Sequence, residues 1–85
     1  MNKVLIKIYV PSLEKNYDIF IPVNELIWKV NKLIVKSIND LSEGHLNPNK
    51  DYVFVNAETG QIYDNNLLII NTDIRNSSKL LLLEV

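Results

Sequence analysis

The chain has 85 residues, a formal net charge of −1 and 47% apolar residues, with two glycines and three prolines. This length and composition predict a single ordered domain over residues 1–85, with one modest core. The absence of cysteine excludes disulfides, thiolate metal sites and thiol nucleophiles. The near-balanced charge argues against nucleic acid as a partner. The first residues show neither the apolar run nor the cleavage site of a signal peptide, so we expect none, and no apolar run approaches the roughly 20 residues of a spanning helix. We therefore expect a cytoplasmic protein without direct membrane insertion.

The first part of the chain predicts a β-hairpin. Apolar residues alternate with others at two neighbouring stretches, a period typical of strands. One face is predicted to carry Val4, Ile6, Ile8, Val10, Tyr17, Ile19 and Ile21, and the other Leu5, Lys7, Tyr9, Asp18 and Phe20. Turn-forming residues between the two stretches predict a connection of five or six residues, and Pro22 ends the second strand.

At Asn24 the period changes to that of a helix. Asn24 is predicted to be the N-cap, and Glu25 and Lys29 have the spacing of a favourable ion pair. The helix is predicted to end near Leu41, with Gly44 as a left-handed terminator. The apolar stripe predicted to face the core consists of Leu26, Ile27, Val30, Leu33, Ile34, Ile38 and Leu41.

The remainder predicts a short hairpin and a final strand. Tyr52–Val55 and Gln61–Tyr63 are predicted as strands around a turn, while residues 67–70 fit either a strand or a turn of helix. A loop over residues 72–78 is predicted to be held by buried Ile74. The strand Lys79–Val85 carries leucine on both faces, so we expect it at the sheet centre, parallel to the first strand. The fold class is therefore α+β: a β-grasp (ubiquitin-like) arrangement, with a mixed four- to five-stranded sheet packed on one helix.

The hairpin also carries a narrower resemblance. A strand ending in Val10-Pro11, a polar turn, then Tyr17-Asp18, three apolar residues and Pro22 resembles the YukD/EsaB-type ubiquitin-like family of bacterial type VII secretion systems. The following leucine-rich helix and residues 71–82 are also similar to that family. The resemblance implies a bacterial, non-catalytic and non-conjugated adaptor that binds proteins non-covalently. Its expected partners are membrane or ATPase components of a secretion machine.

The last residues address a second hypothesis. Ubiquitin and sulfur-carrier proteins use a flexible Gly-Gly tail whose carboxylate is adenylated, whereas this sequence reads Leu83-Glu84-Val85. We therefore expect neither conjugation nor sulfur transfer. The alternative is a β-grasp carrier protein, of the sulfur-carrier or modifier type, that lacks its processed Gly-Gly tail.

Two surfaces are candidate protein-binding sites. Trp28 and Val35 are seven residues apart, predicted on one side of the helix opposite the apolar stripe, and aromatic residues are enriched at interface hot spots. The other interpretation is that Trp28 packs against Val23 at the helix start and Val35 is an isolated exposed residue. The second surface is the outer sheet face with Leu5, Tyr9 and Phe20, joined by Leu81 and Leu83. It could bind a partner, a covering loop or a second copy of the chain in a homodimer.

No residues predict an enzyme, a cofactor site or a metal site. His45 is the one histidine and has no neighbouring cysteine. The three helix lysines Lys29, Lys32 and Lys36 are predicted to form a solvated face. The scattered acidic residues Asp51, Glu58, Asp64 and Asp73 suit turns and do not form an acid–base pair by spacing.

Overall fold

The computed structural model of the protein describes residues 2–85. Four strands form one sheet in the order β2-β1-β4-β3, with one helix on one face. β1 is antiparallel to β2 and parallel to β4, and β3 is antiparallel to β4. This confirms the predicted α+β, mixed-sheet β-grasp arrangement. The elements are β1 (Lys3–Val10), β2 (Lys15–Pro22), α1 (Ile27–Leu41), β3 (Tyr52–Asn56), a short 3₁₀ helix (Ile69–Asn71) and β4 (Lys79–Glu84).

The alternation in the first two strands places their side chains as predicted. Ile6, Ile8 and Val10 are buried on the helix side, together with Ile21. The hairpin connection is shorter than expected, because Lys15 already pairs with Val10 and only residues 11–14 form the turn. A hairpin of this length presents two regular faces, of which one is committed to the core.

β4 lies at the sheet centre beside β1, as predicted. The parallel register joins Lys7 to Lys79, Ile8 to Leu80 and Tyr9 to Leu81. Leu80 and Leu82 are buried toward the helix, while Leu81 and Leu83 are partly exposed on the outer face. Ile74 is buried before β4, so it holds the preceding loop as expected.

The start of α1 differs from the prediction. The N-cap is Leu26, and it makes no side-chain cap hydrogen bond, so the prediction of Asn24 is wrong. The first helical N–H groups instead donate to backbone carbonyls of a later segment: Ile27 N to Leu67 O at 2.9 Å and Trp28 N to Asn65 O at 3.3 Å. Unpaired N–H groups at a helix start need acceptors, and here the 65–70 segment supplies them. The end of the helix at Leu41 is confirmed. The first left-handed residue after it is Glu43, not the predicted Gly44, which follows it in the same region.

The buried face of α1 is rotated relative to the predicted stripe. Leu33 and Leu41 are 56% and 64% exposed, so their assignment to the core is wrong. The opposite error concerns Val35, which is buried at 6% exposure together with Asn31. The reason is the segment that leads into β3: Tyr52 O accepts from Asn31 Nδ2 at 2.9 Å, so this segment lies against that side of the helix. The buried helix residues are Ile27, Val30, Asn31, Ile34, Val35 and Ile38.

Residues 61–63 do not form the predicted fourth strand. They make one isolated bridge, Val55 with Ile62, and Tyr63 N–H donates to Phe54 O at 3.0 Å. Pairing stops there because Tyr63 turns inward and is buried, where its hydroxyl donates to Asp73 at 2.6 Å. Residues 69–71 form the short 3₁₀ helix, which resolves the choice left open for that segment.

The central strand allows a direct test of the core assignment. Leu82 is buried, whereas its neighbour Leu83 is partly exposed on the other face. We expect Leu82→Ala to lower the free energy of unfolding by about 2–5 kcal/mol, and Leu83→Ala by less than about 1 kcal/mol. Urea denaturation of the two variants measures both changes. Equal losses would contradict the assignment of the two faces.

Tyr17 offers a second test, in which the expected change has the opposite sign. Its hydroxyl is buried but makes no hydrogen bond to residues 2–85. Burying an unpaired hydroxyl is unfavourable, and phenylalanine keeps the ring without that group. We therefore expect Tyr17→Phe to leave the free energy of unfolding unchanged or raise it. A loss above about 1 kcal/mol, as for a typical hydrogen bond, would show that the hydroxyl has a partner.

Candidate protein-binding surfaces

The titratable groups of residues 2–85 form no cluster of metal-binding side chains. No group of three or more histidine, aspartate or glutamate side chains in this range could hold a metal ion. The largest pKa shift among these groups is that of Tyr63. Burial, together with the hydrogen bond to Asp73, raises the pKa of Tyr63 to about 12. A phenol held protonated in this way serves as a donor to Asp73, tying two loops together. No helix in residues 2–85 has the length and apolar character needed to cross a bilayer.

The outer face of the sheet carries an apolar row across three strands. The register places Tyr9 of β1 beside Leu81 of β4, and Leu81 beside Val55 of β3. Leu83 and Val53 pair next to this row. Side chains at paired positions on one face contact each other, so these five residues form a continuous apolar row, here called the sheet patch. Val55 is buried, and the other four are partly exposed.

Leu5 and Phe20 do not belong to that patch. They pair with each other on β1 and β2, and Phe20 is 60% exposed. Between this pair and the sheet patch lies a charged row, in which Lys7 pairs with both Asp18 and Lys79. The predicted Leu5–Tyr9–Phe20 face is therefore divided by charge into two smaller apolar areas. The predicted outward direction of all three side chains is correct.

The helix side carries a groove between α1 and the segment that precedes β3. Its volume is about 460 Å³. The floor includes the buried side chains of Val35 and Tyr52, and Trp28 and Pro48 line it as well. The loop before β3 is held in place by Tyr52, whose hydroxyl donates to Asn47 O at 2.8 Å. We call this the Trp28 groove.

Basic side chains surround Trp28. The Nζ atoms of Lys29 and Lys32 lie 5.6 Å and 5.5 Å from the centre of the indole ring, a distance typical of cation–π contacts. The Nζ atom of Lys29 also lies 4.0 Å from a carboxylate oxygen of Glu25, as the spacing predicted, and both side chains are about half exposed. The indole is 39% exposed, so part of this large apolar surface remains available to a partner.

On the solvent side of α1, Trp28 adjoins a second, shallower apolar depression. Leu33 and Pro22 line it, together with lysines of the helix. The exposure of Leu33 is the reason this area exists, and it follows from the rotation of the buried helix face. Trp28 is therefore shared by two apolar surfaces on either side of its ring.

The structure thus brings Trp28 and Val35 together, but in different roles from those predicted. Both line the Trp28 groove, with Val35 at its buried base and Trp28 partly exposed. The sequence interpretation missed Tyr52, Pro48 and Lys50, which complete the groove from a later segment. Nothing in their local pattern indicates the contact, because it depends on how the loop crosses the helix. The local signals that the sequence did offer were Trp28, by residue type, and the helix lysines Lys32 and Lys36.

Comparisons with known proteins identify the fold. The chain matches no protein-family model, and no curated protein is significantly similar in sequence. Among solved structures, it is similar to the EccD5 ubiquitin-like domain from Mycobacterium xenopi, with a TM-score of 0.80 and 13% identity over 100% of this chain and 97% of that one. It is also similar to the ubiquitin-like domain of the Mycobacterium tuberculosis type VII secretion system protein ECCD1, with a TM-score of 0.76 and 12% identity, covering 96% and 98% of the two chains.

A third similar structure is a chain of the MycP5-free ESX-5 inner membrane complex, with a TM-score of 0.81 and 11% identity. The match covers 100% of this chain and 21% of that much longer one. At these identities the likeness concerns the fold. The chain has the ubiquitin-like β-grasp fold, and its structural relatives include ubiquitin-like domains of type VII secretion proteins.

The Tyr63–Asp73 bond predicts a specific pH dependence of stability. The pKa of Tyr63 is about 12 in the folded chain, against about 10 for an unfolded tyrosine. Between these values the folded chain retains a proton that the unfolded chain has lost, so the free energy of unfolding falls as pH rises through this window. Tyr63→Phe lacks this ionisation. We therefore expect the stability advantage of the native chain over Tyr63→Phe, measured by urea denaturation, to shrink from pH ~10 to ~12. A constant difference would contradict the raised pKa.

Proposed function

We propose that this protein is a non-catalytic, non-conjugated ubiquitin-like adaptor of a bacterial type VII secretion system, acting in the cytoplasm by non-covalent protein binding. Its partner would be a membrane or ATPase component of the secretion machine. The observation that carries the proposal is the whole-chain similarity to ubiquitin-like domains of such systems, one of which lies within an inner membrane complex.

The surface chemistry supports binding as the mode of action. The sheet patch and the Trp28 groove each combine an apolar area with a polar or charged border. Partly exposed aromatic residues in such settings are typical anchors of protein interfaces. Trp28 and Tyr9 are the two aromatic residues that would serve as anchors, one on each surface.

A comparison of the two surfaces tests the proposal. An affinity-tagged chain is expressed in its native cells, solubilised and purified, and the retained proteins are identified by mass spectrometry. We expect recovery of a membrane or ATPase component of the secretion machine. We expect Trp28→Ala to reduce that recovery about tenfold, as truncation of an interface anchor does.

Two variants complete the experiment. Tyr9→Ala tests the sheet patch by the same readout. Leu41→Ala is the matched control, because Leu41 is also an exposed apolar residue of α1 but does not line the Trp28 groove. Circular dichroism establishes that all three variants fold. If the folded native chain recovers no secretion component, the proposed function is wrong.

A further inference from the structure

We infer that the Trp28 groove binds an acidic segment of a partner protein, with one apolar side chain of that segment packed against the indole. The inference rests on the proposed function and specifies its partner chemically. It selects the helix side over the sheet patch, and it follows from the shape and the charge of the groove.

The shape favours an extended peptide side chain. The groove holds about 460 Å³ and opens to solvent along α1, with Trp28 and Pro48 in its lining. The groups at the base of the groove need no hydrogen bond from a partner, because Val35 is apolar and the Asn31 amide already donates to the Tyr52 carbonyl. The open surface of the groove is mixed: polar and charged side chains make up much of it, and the partly exposed Trp28 ring with Pro48 provides an apolar area where one apolar side chain can pack. This is the arrangement in which a single anchor contributes most of the binding energy.

The positive charge at the rim of the groove favours a negatively charged partner segment. Lys32, Lys36 and Lys50 line the groove, and the one carboxylate among its lining residues is Asp51. Within residues 2–85, neither Lys32 nor Lys36 lies within ion-pair distance of a carboxylate. The positive charge is local, because the whole chain has a net charge of −1. Such a patch attracts acidic groups and disfavours basic ones.

Lys32 lies next to both the apolar Trp28 ring and the charged rim of the groove. Its Nζ lies 5.5 Å from the centre of the Trp28 ring, and the same lysine lines the groove. A carboxylate that binds Lys32 therefore brings the neighbouring residue of its own chain to the indole. An acidic residue followed by an apolar one satisfies both contacts at once.

The same features make nucleic acid the weaker candidate. A nucleic-acid surface normally combines an extended basic stripe with a strongly basic domain. Here Asp51 interrupts the rim, Glu25 neutralises Lys29, and the net charge is negative. Three lysines around a groove that also contains the Trp28 ring fit a short acidic peptide with an apolar residue better than a phosphate backbone.

The probe is a synthetic peptide of alternating aspartate and glutamate around one central phenylalanine. Trp28 is the only tryptophan of the sequence, so its fluorescence reports directly on the groove. We expect saturable changes in that fluorescence, with amide shifts in ¹H–¹⁵N spectra confined to α1 and residues 48–52. A peptide with glutamine and asparagine in place of the acids, and one with glycine in place of phenylalanine, should both bind more weakly. Salt at about 1 M, where the Debye length is about 3 Å, should weaken the native interaction.

Charge reversal supplies the matched variants. We expect Lys32→Glu combined with Lys36→Glu to weaken peptide binding about tenfold or more. The control combines Lys15→Glu with Lys79→Glu, which changes the net charge equally on exposed strand residues outside the groove. The control should bind the peptide nearly as well as the native chain. Thermal unfolding verifies that both double variants fold.

The inference would be overturned by equal binding of the neutral peptide, by equal weakening in the control variant, or by shifts confined to the sheet patch. Tighter binding of a single-stranded oligonucleotide of the same charge would also overturn it. Failure of the proposed function is distinguishable. If purification recovers a secretion component and the Lys32/Lys36 variant retains it fully, the inference fails and the function stands. If the acidic peptide binds at the groove but no secretion component is recovered, the proposed function fails and the binding chemistry inferred for the groove stands.

Discussion

The parallel pairing of β1 with β4 is the constraint on which the remaining structure depends. It joins the first strand of the chain to the last through Lys7–Lys79, Ile8–Leu80 and Tyr9–Leu81. On the helix side it sets Ile8 beside Leu80, both fully buried under α1. On the other side it sets Tyr9 beside Leu81 and so creates the sheet patch. One register therefore determines both the core and the apolar row on the outer face, because successive side chains of a strand alternate between faces.

The strands and the position of the helix could be predicted because their signals are local. The alternation around Ile6 and Ile8 requires no knowledge of the partner strand. The N-cap at Asn24 was predicted incorrectly because the acceptors that the helix start uses are the carbonyls of Asn65 and Leu67, far along the chain. Local propensity describes what a segment can do by itself, and a tertiary backbone contact replaced the side-chain cap. The single bridge at Ile62 has the same explanation, since Tyr63 bonds to Asp73 instead of continuing a strand.

The candidate site was predictable only in part, for a related reason. Trp28 was identifiable by residue type, but the groove beside it exists because Tyr52 and its loop lie against the Asn31 side of α1. That contact also buried Val35 and left Leu33 exposed, which reversed the two assignments made from helical spacing. The charged row of Asp18, Lys7 and Lys79 was likewise invisible until the register was known. Surfaces assembled from distant segments need the topology before their composition can be interpreted.

The pairing of the first strand with the last also governs when the domain can form during synthesis on the ribosome. The β1–β2 hairpin emerges early, but an isolated two-stranded hairpin is at best marginally stable in water. α1 follows without the 65–70 segment that accepts its first N–H groups, and β1 waits for residues 79–81. Until those residues leave the ribosome, the apolar faces of β1 and α1 have no complete core to enter. The nascent chain therefore exposes these apolar faces until residues 79–81 have emerged, and in that interval they are available for association with other chains.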